Sequence, residues 1–169
     1  VYVGSVDGTL YAVDAETGEK EWAFTKPKGA ILGSPMVVNE TVYIGSKGTD
    51  DVDYTDAALY AVDAGSGDQK WAFTTPTDEV GSSPIVVNGT VYVGSDDGTL
   101  YAVDSVTGEK EWAFTEPTKR IFSSPTFANG TVFVGSGDSS LYAVDAVTGV
   151  EEWTFSEATG AIYSSPTVA

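Results

Sequence analysis

A chain of 169 residues, 41% of them hydrophobic, carries enough apolar surface to pack a single domain over residues 1–169. It has no cysteine and no histidine, which excludes disulfides, thiolate nucleophiles, Cys-ligated metals and the commonest general base. Its 25 acidic and 8 basic residues leave a net charge of −17, a surface that repels nucleic-acid phosphates and anionic lipid headgroups.

No apolar run approaches the ~18 residues of a membrane-spanning helix, so direct membrane insertion is not expected. In chain order, Val1–Gly4 reads as a strand, followed by a turn at Asp7-Gly8 and a second strand ending at Val13. Asp14-Ala15-Glu16-Thr17-Gly18 makes the next turn and leads into a strand carrying Trp22. Pro35 then opens a new strand, at a place where a missing N–H costs little. From there the pattern repeats. Trp22, Trp71, Trp112 and Trp153 are spaced by 49, 41 and 41 residues, as are Asp14, Asp63, Asp104 and Asp145. The unit is therefore about 41 residues, and one copy carries eight extra within 47–58.

The third copy shows the unit complete. Pro84 to Val87 is a strand, and Asn88-Gly89 favours a type I′ hairpin because both residues tolerate positive φ. Thr90 to Gly94 returns, Asp96-Asp97-Gly98 turns, and Thr99 to Val103 follows. The turn Asp104 to Gly108 then leads into Lys110 to Thr115. β-Branched and aromatic residues fill the strands, Gly, Asn and Asp punctuate them, and no stretch has a helical period. The chain is read as all-β, a propeller of four-stranded antiparallel blades. Gly4, Gly45, Gly94 and Gly135 fall at one position of the second strand, where a neighbouring aromatic is expected to cover each.

The segments Ala12–Trp22, Ala102–Trp112 and Ala143–Trp153 each read Ala-x-Asp-x-x-Thr-Gly-x-x-x-Trp, and Ala61–Trp71 differs only by Ser66 for Thr. This resembles the tryptophan-docking motif of pyrroloquinoline-quinone-type (PQQ-like) β-propellers, over the whole chain. The resemblance implies that Trp22, Trp71, Trp112 and Trp153 pack between blades rather than stack a ligand. The motif carries its own physical logic. Asp14, Asp63, Asp104 and Asp145 can accept from backbone N–H groups of the turn, and Gly18, Gly67, Gly108 and Gly149 can take the left-handed conformation. The acidic, lysine-poor composition further resembles haloarchaeal proteins, in which salt screens self-repulsion.

Val1 aligns with the second strand of a unit and Ala169 with the end of the first strand of another; the repeat would join them through Asn-Gly-Thr. Two architectures fit: a closed four-bladed ring, or half of an eight-bladed ring completed by more polypeptide or a second copy. The eight-bladed version is favoured.

Candidate sites sit on the face formed by the second-to-third turns and the blade connections, which varies most between copies. Asp50, Asp51, Asp53 and Asp56 could bind calcium, although the spacing, turn glycine and closing glutamate of an EF-hand loop are missing. A solvated acidic loop is the simpler account. Lys26, Lys28, Lys119 and Arg120 supply half of the positive charges, as a partner or anion site or as balance for nearby carboxylates. Asn39, Asn88 and Asn129 begin N-glycosylation sequons on hairpins, relevant if the protein is exported.

Three functions follow. The first is a non-catalytic protein-binding scaffold, extracellular or at the cell surface of a halophile, with other proteins or a second copy as partners. The second is a fragment of a PQQ-dependent alcohol- or glucose-type dehydrogenase. The resemblance implies that such enzymes hold their quinone with a calcium-binding carboxylate and amide, an arginine and commonly a vicinal cysteine pair. The third is a sensor domain of a larger receptor or kinase. Without cysteine, and with no matching motif around Arg120, no catalytic residue and no cofactor is expected.

Overall fold

The computed structural model describes residues 1–48 and 56–169. Among the described residues, fifteen strands form four antiparallel sheets, each a meander of consecutive strands. Sheet 1 has three: β1 (Tyr2–Gly4), β2 (Leu10–Val13) and β3 (Lys20–Phe24). Sheet 2 contains β4 (Met36–Val38), β5 (Thr41–Ser46), β6 (Ala58–Asp63) and β7 (Gln69–Phe73). Sheet 3 contains β8 (Ile85–Val87), β9 (Thr90–Gly94), β10 (Leu100–Asp104) and β11 (Lys110–Phe114). Sheet 4 contains β12 (Thr126–Ala128), β13 (Thr131–Gly135), β14 (Leu141–Asp145) and β15 (Glu151–Phe155). The expected all-β blade architecture is thus present, with strand limits in the third copy within about a residue of those read from turn chemistry. Among the described residues no helix is long and apolar enough to cross a membrane.

The hairpins form as their residues dictate. Asn88 and Gly89 sit at φ 51° and 91°, and Asn129 and Gly130 at 51° and 89°, the left-handed values of a type I′ turn. Asn39-Glu40 takes the same shape with Glu40 at φ 56°, a strained conformation for a residue with a Cβ. At the other turn of the same end, Asp14 Oδ1 accepts from the backbone N–H of Thr17 at 2.7 Å and of Glu16 at 3.0 Å. Asp63, Asp104 and Asp145 repeat this cap. These bonds, chiefly from the backbone of Thr17, Ser66 and Thr107 and from the hydroxyl of Thr148, hold the four carboxyls below the ordinary aspartate range.

Every sheet also carries one register shift just before that turn, between Ala12 and Val13 and at the equivalent pairs. The bulge skips one residue of the outer strand, which then reaches across the sheet: Glu111 accepts from the Thr90 hydroxyl at 2.9 Å and Glu152 from that of Thr131 at 2.8 Å.

The core lies between sheets rather than within them. Tyr43, Leu59, Ala61, Trp71 and Phe73 of sheet 2 pack on Val91, Val93, Tyr101 and Val103 of sheet 3, and the neighbouring interfaces repeat this composition. Each indole closes its interface in the same way. Trp22 donates its ring N–H to the Ala64 carbonyl, Trp71 to that of Ser105 and Trp112 to that of Ala146, all at 3.1 Å. The same carbonyls accept from the hydroxyls of Tyr2, Tyr43 and Tyr92 at 2.9–3.1 Å. The indoles lie against Gly67, Gly108 and Gly149, where a Cβ would come within 2.7–2.8 Å of the rings. A second set of ring contacts, Phe24–Tyr60, Phe73–Tyr101 and Phe114–Tyr142, has centroids 5.4–5.5 Å apart in edge-to-face geometry.

One expectation fails. The second-strand glycines Gly4, Gly45, Gly94 and Gly135 are covered not by aromatics but by Ile31, Val80, Ile121 and Ile162 of the blade connections. The cause is backbone proximity. Each of these residues donates its own N–H to a serine carbonyl beside the glycine, Ile121 to Ser95 at 2.9 Å for example, and a branched aliphatic side chain fits beneath a main chain held so close.

Candidate protein-interaction face

Antiparallel meanders place the second-to-third turns and the connections between sheets at one end of the array. The two sets are tied together there. Thr77 donates its N–H to Asp97 Oδ2 at 3.0 Å, Thr118 donates to Asp138 Oδ2 at 2.9 Å, and Asp96 N–H bonds the Glu79 carbonyl at 2.8 Å. A rim of backbone-to-serine bonds links successive sheets: Ser34 N–H to Ser83 Oγ, Ser83 N–H to Ser124 Oγ and Ser124 N–H to Ser165 Oγ, at 2.8–3.2 Å. The loops of this face are therefore held on a rigid base.

Ile31, Val80 and Ile121 of the connections are buried against the sheets, and Ile162, in the segment after β15, is half-buried at the equivalent position. The residue that follows is Leu32, Gly81, Phe122 and Tyr163 in successive copies, and Gly81 is buried with the Phe122 ring against it. Leu32, Phe122 and Tyr163 are 49%, 39% and 42% exposed. Phe122, on the connection between sheets 3 and 4, and Tyr163, on the segment after β15, stand edge to face with centroids 6.3 Å apart. Arg120 lies over the Tyr163 ring at 5.0 Å and donates from Nε and Nη2 to its hydroxyl at 3.1 Å. Its third nitrogen reaches Asp96 at 3.8 Å. The result is an exposed aromatic pair braced by an arginine, a composition enriched in the binding centres of protein interfaces.

Beneath this pair the charges are constrained. Burial, then the negative charge of Glu79, pushes the Asp96 carboxyl up to about 6, with Arg120 pulling the other way. Its Oδ1 is buried and has no hydrogen-bond partner among the described residues. A carboxyl raised from 3.8 to about 6 by folding adds stability while protonated, and loses that contribution as pH rises through about 6. Asp96→Asn is therefore expected to raise stability at pH 8 by about 1 kcal/mol, after discounting for partial exposure, and to flatten the pH dependence between about 4 and 6. Urea denaturation at pH 4, 6 and 8 checks both parts.

The residues singled out from sequence distribute unevenly. Arg120 belongs to the braced pair, with Lys119 beside it on the same connection. Lys28 lies on the first connection and pairs with Asp56 at 3.1 Å, and Lys26 is exposed nearby. The four cations thus sit on two separate connections. Asp50, Asp51 and Asp53 lie outside the described residues. Asn39, Asn88 and Asn129 occupy exposed hairpin tips at the opposite end. Leu32, Glu79, Asp96, Phe122 and Tyr163 were not singled out from sequence. The available signal was a repeated Ile or Val followed by a residue that differs in every copy, Leu32, Gly81, Phe122 and Tyr163.

A groove of about 310 Å³ opens at the hairpin end between sheets 3 and 4 and includes Asn88, Glu111, Trp112 and Phe127. It offers one carboxylate, Glu111, which already accepts from Thr90, and no cation to face an anionic quinone. These residues do not fit the quinone pocket that the PQQ-like resemblance implies. Among the described residues no group of three or more acidic side chains is arranged to hold a metal ion.

The family model described as outer membrane protein assembly factor BamB matches residues 1–83 and 55–169, which together span the chain. Among solved structures, BamB from Moraxella catarrhalis superposes with a TM-score of 0.73 at 22% identity, covering 91% of this chain and 44% of that one. The computationally designed Ika8 protein superposes with a TM-score of 0.82 at 18% identity, covering 96% and 48% respectively. The quinohemoprotein alcohol dehydrogenase ADH-IIG of Pseudomonas putida is 44% identical over 55 residues, 30% of this chain and 8% of that enzyme. A Comamonas testosteroni quinohemoprotein alcohol dehydrogenase matches to the same extent. The chain therefore spans less than half of the solved proteins and a small part of the dehydrogenases.

Proposed function

Since the chain belongs to the family described as outer membrane protein assembly factor BamB, we propose that it is a non-catalytic scaffold docking another protein on its connection face. The observation that carries this reading is the exposed Phe122–Tyr163 pair braced by Arg120 on loops tied to a rigid sheet array. Aromatic side chains with few rotatable bonds lose little entropy on binding and bury a large area, and a partner covering the pair also desolvates the Arg120 contact. In this reading the indoles are docking elements between sheets and take no part in ligand binding. The protein acts outside the cytoplasm, in an envelope or at the cell surface, as the name of its family suggests, with Asn39, Asn88 and Asn129 open to modification on the opposite end.

A photo-crosslinking residue at position 122 or 163, in cells producing the protein, is expected to trap one discrete adduct. The same residue at position 88 is expected to trap none. Equal labelling at both ends, or no adduct from the connection face, overturns the reading.

The short match to quinohemoprotein dehydrogenases favours a second reading, a fragment of a quinone enzyme. Adding pyrroloquinoline quinone and calcium and following alcohol-dependent dye reduction separates the two; turnover would replace the scaffold reading. The surface charge is proposed to be an adaptation to high salt. Electrostatic screening shortens from about 10 Å at 0.1 M to about 3 Å at 1 M, so the repulsion among a net −17 charge weakens. The thermal midpoint is expected to fall on transfer from molar to low salt. A midpoint independent of salt would exclude halophilic adaptation.

A further inference from the structure

One position of the outer strand distinguishes sheet 2 from sheet 3. In sheet 2 it is Lys70, whose ammonium donates to the Glu40 carbonyl at 3.0 Å and to Thr41 Oγ1 at 2.8 Å and pairs with Asp63 at 3.2 Å. In sheet 3 the same acceptors recur as the Gly89 carbonyl, Thr90 Oγ1 and Asp104, but Glu111 replaces the lysine. The Glu111 carboxylate accepts from the Thr90 hydroxyl at 2.9 Å, which leaves the Thr90 oxygen open to a further donor. Among the described residues no cation takes the place of Lys70 here. Residues 121–169 contain no lysine or arginine, and Lys119 and Arg120 belong to the connection at the opposite end. Lys110 stands opposite Val103, which packs toward sheet 2, and so lies on the other side of its sheet. What sheet 3 has instead is the groove of about 310 Å³ facing sheet 4, walled by Thr90, Glu111, Trp112, Phe127 and Val147. Trp112 is only half-buried there, whereas Trp71, beside Lys70, is 9% exposed. Burial, and then the charges of Glu111 and Asp145, hold the Tyr92 hydroxyl above its ordinary range against a hydrogen bond with Thr90, so the groove is negative.

We propose that this groove binds a small alkylammonium ion. Its ammonium sits among Glu111, Thr90 Oγ1 and the Gly89 carbonyl, where sheet 2 holds that of Lys70, and its methylene stem lies along Trp112 and Phe127. Two independent observations carry the assignment. The chain itself shows, in sheet 2, that this set of acceptors holds an ammonium on an alkyl stem. In sheet 3 the groove is open, its floor carries one more carboxylate, and its walls are aromatic, the surroundings in which a desolvated organic cation is most stable. An anionic ligand is disfavoured by the same charges. The volume is that of a small-molecule site, and the features suited to docking a protein lie at the other end of the array, so the occupant is a free amine rather than a lysine of a partner. The inference goes beyond the connection-face reading and does not rest on it.

The test is an NMR titration at fixed ionic strength with n-butylamine, which is the lysine side chain without its backbone. The indole N–H resonance of Trp112, identified by its loss in Trp112→Phe, is expected to shift saturably with millimolar affinity, while those of Trp22 and Trp71 stay in place. Butan-1-ol, of the same length and uncharged at its head, is expected to produce no saturable shift. Glu111→Gln should weaken butylamine binding by about 10-fold, the loss of one charge-assisted hydrogen bond. Glu111→Lys restores the arrangement of sheet 2, so it should fold with the indole resonances dispersed as before and abolish binding by filling the groove from within. Nα-Acetyl-lysine methylamide, which carries the same ammonium on a peptide unit, is expected to bind no more tightly than butylamine. No saturable shift with butylamine, an equal response to butanol, or undiminished binding to folded Glu111→Lys would overturn the site. Tighter binding of the lysine derivative would overturn its assignment to a free amine.

Discussion

Replacing Trp71 with alanine is expected to cost about 3–5 kcal/mol, the range for deleting a large buried aromatic side chain, read as a lower urea midpoint at unchanged slope. Three losses coincide at this residue. The indole belongs to the core between sheets 2 and 3 and is 9% exposed. Its N–H bond to the Ser105 carbonyl disappears, though the Tyr43 hydroxyl still donates to that oxygen at 3.1 Å and limits the penalty. The surface of Gly108 is uncovered at a turn that admits no substitute, since its φ is +74°. Trp71→Phe should recover most of the burial and none of the hydrogen bond, leaving a deficit of about 1 kcal/mol. Should Trp71→Ala cost no more than a surface substitution, the inter-sheet core described above is wrong.

The second large effect is Gly94→Val. A Cβ there would overlap Ile121 Cγ2 and lie 2.9 Å from the Ile121 carbonyl oxygen. A flexible side-chain tip can move, but that carbonyl belongs to a connection fixed by the Ile121 N–H bond to Ser95. Overpacking of this kind costs about 3 kcal/mol, the upper part of its usual range, so the variant should unfold well below the wild-type midpoint. Gly160→Ala, at a position with open space around it, serves as the neutral comparison. Equal stability of the two variants would show that the connection can shift away from the sheet.

How legible the molecule was in its sequence depended on the range of the interaction. Turn chemistry is local, so Asn88-Gly89 and the Asp104-to-Gly108 cap placed the strands between them nearly to the residue. The repeat then carried that reading to the other copies. Contacts between copies were harder. The cover of Gly94 is Ile121, 27 residues away, and nothing at Gly94 distinguishes an aliphatic neighbour from an aromatic one. The Phe122–Tyr163 pair was invisible because its members lie 41 residues apart and meet only once two connections stand side by side. Arg120 was noticed as a charge in a chain with few cations. Its actual setting, across a tyrosine ring and toward Asp96, whose carboxyl burial pushes up, required coordinates.

Because every inter-sheet contact repeats one set of bonds, the protein behaves as a one-dimensional array in which each unit is stabilised by its immediate neighbours. Sheets 2 and 3 are flanked on both sides, whereas sheets 1 and 4 each have one neighbour within the chain. In an isolated molecule, opening therefore starts at the ends, and amide exchange should be slowest in β6, β9 and β10 and fastest in β1 and β15. A closed ring has no terminal unit, and the same exchange profile would then be nearly level from one sheet to the next.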